Sequence, residues 1–325
     1  MNPNNKWKKY LKTIKKDWML YLMLLPIVIF FLLWKYLPMT GLLAAFKYYT
    51  TAGESVLEAD FRGFYYFKAL LFGTSSKDFW RAFRNTFAIS LQGLIFGFPI
   101  PIILALFFSE IKSPLYRSIT QIISYLPKFI STVVITTMVA LMLSSESQYN
   151  SAGIIATLLY KLGLASKSMN LMTEQSFFRP IYHISGIWQG AGYGSIVYFA
   201  AIMGISPTYY EAAKMDGANK LAQIRYVTLP GMAPTLTIMI ILRIGDMLSV
   251  GYEKVLLLLG DSKTIMDNEA YYVGDVISTY VYRIGLEGGS YFTGSAADLF
   301  NSLIAMCLVL GANFISRRVS ETSLF

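Results

Sequence analysis

Six long apolar segments constrain this chain more than any other feature. They run roughly over residues 18–36, 85–109, 119–143, 181–203, 231–259 and 296–315. Each is long enough to cross about 30 Å of hydrocarbon as a helix. Backbone N–H and C=O groups find no water in lipid, so runs of this length read as helices whose bonds close internally. The expected fold is an all-α membrane protein with six transmembrane helices. Pro26, Pro99, Pro101, Pro127 and Pro234 fall inside these segments. In a soluble helix each would cost about 3 kcal/mol. Membrane helices tolerate them, as kinks for packing or where helices line a cavity.

Charge supports the same reading and orients it. Charged residues make up 14% of the chain, against about 25% in soluble domains. The formal net charge is +9, and Lys6, Lys8, Lys9, Lys12, Lys15 and Lys16 supply most of it ahead of the first apolar run. A nucleic-acid arm has a similar composition. Directly before a membrane segment, such a tail sets positive-inside topology and touches anionic lipid. The N-terminus is therefore expected in the cytoplasm. Six crossings return the C-terminus, with Arg317 and Arg318, to the same side. The connections holding Lys112 and Arg117, and Lys214, Lys220 and Arg225, are then cytoplasmic as well. The connection between the fifth and sixth segments should be external, and it is acidic: Asp261, Asp267, Glu269, Asp275 and Glu287 against Lys263 and Arg283. The first external connection is an exception, with Lys47, Arg62, Lys68, Lys77 and Arg81. The first run ends Trp34-Lys35-Tyr36-Leu37-Pro38 without a small-x-small cleavage site, so it reads as an uncleaved helix. No repeat or linker divides the chain. Residues 1–17 form a basic tail and residues 18–325 one membrane domain.

Several chemistries are excluded early. Cys307 is the single cysteine and His183 the single histidine. An internal disulfide is impossible, and tetrahedral N/S metal ligation lacks its ligands. Cys307, inside an apolar run, is expected to pack as a small apolar residue. His183, with no acid nearby in sequence, is expected to be a packed or interfacial histidine rather than a proton relay.

The stretch from Ser206 to Pro230, SPTYYEAAKMDGANKLAQIRYVTLP, carries the most information. Ser206 is placed to cap a helix with Pro207 at its first position. Gly217 can adopt the left-handed conformation that ends a helix. Asn219 can cap a second short helix, and Pro230 restarts the chain into the fifth segment. A cytoplasmic helix–turn–helix follows, with a carboxylate on its first helix and small residues beside it. This stretch resembles the EAA signature of binding-protein-dependent ABC importer permeases: EAA, three residues, Gly, nine residues, Ile, one residue, Leu-Pro. Glu211, Ala212, Ala213, Gly217, Leu229 and Pro230 fall in register, and Val227 replaces the Ile.

The resemblance implies that the segment 206–230 docks into a cleft of a separate ATPase. Glu211 would bond at the cleft, Ala212 and Ala213 would permit close approach, and Asp216 and Gly217 would set the turn. ATP-driven closure of an ATPase pair would then rock the spans between inward-open and outward-open states. The chain has no Walker A pattern (G-x-x-x-x-G-K-[ST]). It is therefore expected to be non-catalytic and to bind no cofactor, with ATP and Mg held by the partner. A second homologous permease and a glycan-binding protein outside the cell, lipid-anchored in a Gram-positive organism, would complete the assembly.

Two further stretches look like the polysaccharide-type permeases of Gram-positive bacteria and the related alginate and aldouronate importers. They are GIWQGAGYGSIVYFAAI in the fourth segment, and RIGDMLSVGYEKVLLLLG with VGDVISTYVYRIGL from the fifth segment onward. A carbohydrate cargo is implied, an oligosaccharide or polysaccharide. Pocket residues in similar sugar permeases fall at offsets that land on Gln189, Gly190, Tyr193, Asp246 and Val250. Physically, Arg243 and Asp246 share one helical face at i, i+3, and an intramembrane charge is costly unless paired or facing a cavity. They form an ion pair, or Asp246 offers acceptors to sugar hydroxyls beside the Tyr193 ring. For the glycines, close helix packing competes with a pocket role. An EAA-type permease for a non-sugar solute stays open. So does an ion-coupled secondary transporter, although inverted repeats and multiple intramembrane carboxylates are not evident.

Overall fold

Helix caps and broken turns decide how the apolar runs are laid out. The computed structural model describes residues 15–48, 59–145, 152–166, 170–260 and 269–319. Lys6, Lys8, Lys9 and Lys12 of the tail, and Asp261, Lys263 and Asp267 of the acidic connection, lie outside the described residues.

Helix α1 (Trp18–Phe31) continues through a π-helical turn and a 3-10 segment to Phe46. A short antiparallel ribbon follows, Lys47–Tyr48 (β1) against Asp60–Phe61 (β2), which the all-helical expectation did not include. Then come α2 (Tyr65–Phe72), α3 (Ser76–Gly97), α4 (Pro99–Glu110), α5 (Pro114–Tyr125), α6 (Thr132–Leu143) and α7 (Ile154–Lys161). Helix α8 (Gln175–Met203) leads into α9 (Pro207–Met215), α10 (Lys220–Gln223) and α11 (Leu229–Gly245). The last elements are α12 (Tyr252–Leu259), α13 (Tyr271–Gly274), α14 (Ile277–Val281) and α15 (Tyr291–Val319).

Four helical stretches among the described residues are long and apolar enough to cross a membrane: Trp18–Phe46, Ser76–Glu110, Lys220–Leu248 and Tyr291–Arg318. Many of their large apolar side chains face outward, although Phe79, Ile89, Phe108, Met232 and Ile241 are buried in the bundle; no residue of α1 is buried, as expected of a surface that lipid covers. The fourth apolar segment becomes α8, a helix of 29 residues. Its length suffices, but Arg179, Gln189 and a run of glycines keep it less apolar than those four.

Two segments depart from the straight spans expected of them. The third bends by 94° between Phe129 and Thr132. Pro127 has no N–H to continue the ladder, a 3-10 turn over Leu126–Phe129 ends α5, and Ser131 caps α6 by accepting from the Val133 N–H at 3.2 Å. The fifth stops at Leu248 instead of running to residue 259, and α12 starts only after Gly251. The carbonyls freed at that break are not orphaned, since Ser90 donates to Met247 O and Asn301 Nδ2 donates to Leu248 O at 2.9 Å. Buried backbone groups need such partners. Cys307 also differs from expectation: it is exposed on α15, whose buried face carries Ala296, Ala297, Asn301, Asn313 and Ser316 instead.

Helix α8 is the axis of the packing. Near its start, Phe178 and Ile181 join an apolar cluster with Leu143, Val255, Leu258, Leu259 and Val276. Near its end, Tyr198 and Ile202 join a second cluster with Ala105 and Met232. The stretch between these plugs is polar and glycine-rich. Close approach there needs Gly192: a Cβ would collide with the carbonyl of Ser124 on α5.

Beside the first plug lies a buried ionic knot. Asp275 is fully buried and takes a bidentate grip from Arg283, with bonds of 3.2 and 3.1 Å. Thr279 Oγ1 donates to it at 2.8 Å, and Arg81 stands 3.8 Å away while also pairing with Asp78 at 3.0 Å. Asn85 donates to the Asp275 and Tyr272 carbonyls, and Arg179 donates to Asn85 Oδ1 at 3.1 Å. Burial first, then the Asp275 carboxylate, pushes the Tyr271 phenol upward, so it remains a protonated partner for Arg81 at 2.9 Å. Asp275 and Arg283, which the sequence presents as external connection charges, are thus a mutually neutralised internal pair tying α3, α8 and α13–α14 together.

Candidate functional site: a cavity and a lever on one helix

Between the two apolar plugs, α8 borders a cavity of about 570 Å³. Gln189, Gly190, Tyr193, Asp246 and Val250 all line it, as do Arg243 and His183. Residues separated by more than fifty positions in sequence therefore meet at one surface, halfway along α8 and at the broken end of α11.

Each has a distinct setting. Gln189 donates to the Ile130 carbonyl at 3.2 Å, satisfying the bend in the third segment. The Tyr193 and Phe129 rings meet in a T-shaped contact at 6.1 Å, and Tyr193 is 46% exposed where it lines the cavity. Asp246 opens the short 3-10 turn after α11 and is exposed to the cavity. The i, i+3 pairing with Arg243 is not made: among the described residues, neither side chain takes part in an ion pair within 4 Å. Helix termination explains this, since Arg243 ends a regular turn while Asp246 begins a tighter one. The glycines divide. Gly192 serves close packing against Ser124, Gly194 would place a Cβ at an ordinary contact distance of 3.5 Å from Pro101, and nothing lies within 4 Å of a Cβ at Gly190, which faces open space. His183 is packed, as expected, with its Nε2 3.2 Å from Gln92 Oε1.

Two cavity residues escaped the sequence reading. Lys128 sits in the 3-10 turn of the bend and Lys254 on α12; both line the cavity. The signal that could have found them is a lysine within an apolar run, costly there unless it faces a polar space.

About ten residues beyond Tyr193, or about 15 Å of helix, α8 ends and the lever begins. Ser206 occupies the cap position of α9 as expected, but its hydroxyl bonds Thr208 Oγ1 at 3.3 Å and caps no backbone N–H. Pro207 takes the first helical position. Gly217 has φ +79°, and the closing bonds run from Gly217 N to Lys214 O at 3.0 Å and from Ala218 N to Ala213 O at 2.9 Å. That left-handed geometry favours glycine over any L side chain. Asn219 caps α10, its Oδ1 accepting from the Ala222 N–H at 2.9 Å. Leu229 and Pro230 open α11.

The lever is anchored at its ends and bare along its length. No residue of α9 is buried; Glu211, Ala212, Asp216 and Gly217 are exposed and Ala213 is half-buried. Glu211, Lys214 and Lys220 border a cleft of about 320 Å³. The anchors are the Tyr210 hydroxyl on Thr228 Oγ1 at 3.1 Å, Gln223 Nε2 on Ala218 O at 2.9 Å, and Lys220 on Glu110 at 2.5 Å. Ile205 packs so tightly against Gly231 that a Cβ there would come within 2.7 Å of it. Through Tyr210, Lys220 and Ile205 the segment 205–220 thus touches the residues leading into α11, the end of α4 and the start of α11.

Comparison with known proteins gives consistent matches. Residues 97–321 match the family model described as binding-protein-dependent transport system inner membrane component. Protein LplB of Bacillus subtilis is 33% identical over 97% of this chain and 94% of its own length. The polygalacturonan/rhamnogalacturonan transport system permease protein YteP of the same organism is 33% identical over 98% and 94%. A chain of a bacterial alginate ABC transporter, solved in complex with an alginate pentasaccharide-bound periplasmic protein, superposes with a TM-score of 0.83 at 42% identity, covering 96% of this chain and 99% of that one.

Proposed function

Because this chain belongs to the family of binding-protein-dependent transport system inner membrane components, we propose that it is one permease subunit of an ATP-driven importer and forms half of the translocation path for a carbohydrate. The observation that carries the reading is that one helix, α8, lines the cavity at its middle and ends in the lever. Work done on α9 from outside the bundle then alters the walls of the space that would hold cargo, a ligand-biased switch between packed states.

In this reading the membrane domain spans residues 18–325, and α8 and the bent α5–α6 pair join the four apolar stretches to make six crossings. Both termini and the segment 206–230 lie in the cytoplasm, with residues 1–17 as a basic tail against anionic lipid. Glu211, Ala212, Ala213, Asp216, Gly217, Leu229 and Pro230 form the surface and turn that meet an ATPase subunit. That partner holds ATP and Mg. A second permease of the same family closes the other side of the path, and a glycan-binding protein outside the membrane delivers the cargo. Relatives named for polygalacturonan/rhamnogalacturonan transport, and the alginate transporter, support an oligosaccharide or polysaccharide cargo. The exposed Tyr193 ring and the unpaired Asp246 carboxylate are the stacking surface and acceptor that sugars use.

Tyr193→Ala and Asp246→Ala are expected to weaken uptake about tenfold each while leaving assembly with the ATPase intact, since an aromatic contact is worth about 0.5–1.5 kcal/mol beyond its buried area and a hydrogen bond to a charged group about 1.5–3 kcal/mol. Transport kinetics of the reconstituted complex, beside co-purification of the ATPase, measure both. Unchanged kinetics in both variants would remove these residues from the path.

A further inference from the structure

The connection after the first apolar run holds Lys47, Arg62, Lys68, Lys77 and Arg81, cations that the positive-inside pattern does not explain. The fold accounts for Arg81, which turns to Asp78 and Asp275. Arg62, Lys68 and Lys77 stay exposed, and among the described residues none of the three takes part in an ion pair within 4 Å. They follow β2, sit on α2 and open α3, in that order. Among the described residues of this connection, Asp60 is the acidic group set against them, since Asp78 is held by Arg81 at 3.0 Å.

Large aromatic side chains surround these cations. Phe61, Phe64, Tyr65 and Phe72 are exposed, Phe61 at 73% and Phe72 at 83%. Tyr65, Lys68 and Phe72 recur at three- and four-residue steps, so they share one stripe of α2. The opposite stripe, Tyr66, Phe67 and Leu70, is buried. The Arg62 guanidinium lies 4.4 Å from the centroid of the Tyr48 ring. Trp80 donates its indole N–H to the Leu71 carbonyl at 3.2 Å and leaves its ring partly exposed beside the end of α2. Helix α2 thus has one apolar side against the bundle and a second, aromatic and basic, that the chain leaves uncovered.

Depth identifies what covers it. Leu70 clusters with Phe79 and Ala82 of α3, while Tyr66 and Phe67 cluster with Ala296 of α15. Two of the apolar runs begin at residues 85 and 296. Helix α2 therefore lies within about 5 Å of helix rise, or one turn, of the hydrocarbon edge. At that level acyl chains meet phosphate headgroups, and amphipathic helices bury their apolar side about 5–10 Å into this boundary. Tyr and Trp favour it too, and a Lys or Arg near anionic lipid contributes about 1 kcal/mol. A docked protein would have to shield the bare phenylalanines from water, whereas lipid covers them at this depth without a further partner.

The geometry points to a lipid-binding face built from β2, α2 and the start of α3. Phe61, Phe64 and Phe72 seat in the acyl boundary, and Arg62, Lys68 and Lys77 hold the phosphates of anionic phospholipids. This face is separate from the cavity and from the lever, and it stands whatever the cargo.

The test uses the complete transporter in nanodiscs of phosphatidylcholine with a minor share of phosphatidylglycerol. In a Cys307→Ser background, Phe61→Cys and Phe72→Cys each carry a small fluorophore, and the complex without an added cysteine gives the background signal. One of the two lipids at a time is brominated in its acyl chains. Both labels should be quenched. Brominated phosphatidylglycerol should quench about fivefold more per molecule than brominated phosphatidylcholine, equivalent to about 1 kcal/mol. The Lys68→Gln/Lys77→Gln pair should bring that ratio near one, and Lys68→Arg/Lys77→Arg should keep it. Absence of quenching at both positions overturns the lipid face. Equal quenching by the two lipids before any lysine is changed overturns the assignment of the cations to headgroups. Quenching that disappears when the glycan-binding protein is added gives the face to that protein and overturns the inference.

Discussion

Glu211→Lys should leave a folded protein that transports nothing. Glu211 is exposed on a helix with no buried residue, so the exchange removes no core contact. Surface substitutions away from special features usually stay within about 0.5 kcal/mol. At the proposed ATPase interface the same exchange reverses a charge, and it sets a third lysine beside Lys214 and Lys220 at the cleft. Like-charge juxtaposition across an interface costs several kcal/mol, a loss of about a thousandfold in affinity. Uptake should fall to background and the ATPase should no longer co-purify, while thermal unfolding in detergent is unchanged. Normal uptake with full ATPase recovery would remove Glu211 from the interface.

Asp275→Ala should do the opposite, destabilising the fold without touching cavity or lever. The carboxylate is fully buried and held by Arg283, Thr279 and Arg81. Arg81 keeps a second acidic partner in Asp78 at 3.0 Å. For Arg283, Asp275 is the acidic group within 4 Å among the described residues, so the variant strands a guanidinium in a dry site. Removing one member of a buried pair costs about 3–5 kcal/mol. A large fall in unfolding temperature in detergent, with matching loss of membrane-resident protein, is expected. An unfolding temperature equal to that of the unmodified protein would mean the knot carries no stability.

The lever was the most legible part of the sequence because its signals are local. Pro207, Gly217 and Asn219 each dictate a backbone state by their own chemistry, and all three stand where expected. The hydroxyl of Ser206 was less legible: its position was right, but a neighbouring threonine won its bond. The cavity residues on α8 and α11 could be placed only through resemblance, since nothing in the spacing of Tyr193 and Asp246 brings them together. The bends were hidden by hydropathy. Residues 119–143 read as one apolar run, and the break follows from Pro127 ending one helix and Ser131 capping the next, signals that an apolar window averages away. Gly251, at the cap position of α12, marks the restart after the break in the fifth segment in the same way. The Asp275–Arg283 pair was illegible because eight residues of continuous helix would hold the groups about 12 Å apart; in the structure Asp275 precedes the extended Val276 that caps α14, and Arg283 lies in the π-helical turn after it. Lys128 and Lys254 were readable in principle, as cations inside apolar runs, but only the fold shows that both face one space.

The central claim is that the lever stands on the cytoplasmic side, where an ATPase can reach it. The chain's single cysteine allows a direct measurement. In a Cys307→Ser background, Lys214→Cys should resist a membrane-impermeant maleimide in intact cells and react once the membrane is opened. Labelling of residue 214 from outside intact cells, at the rate seen after opening, would contradict the account.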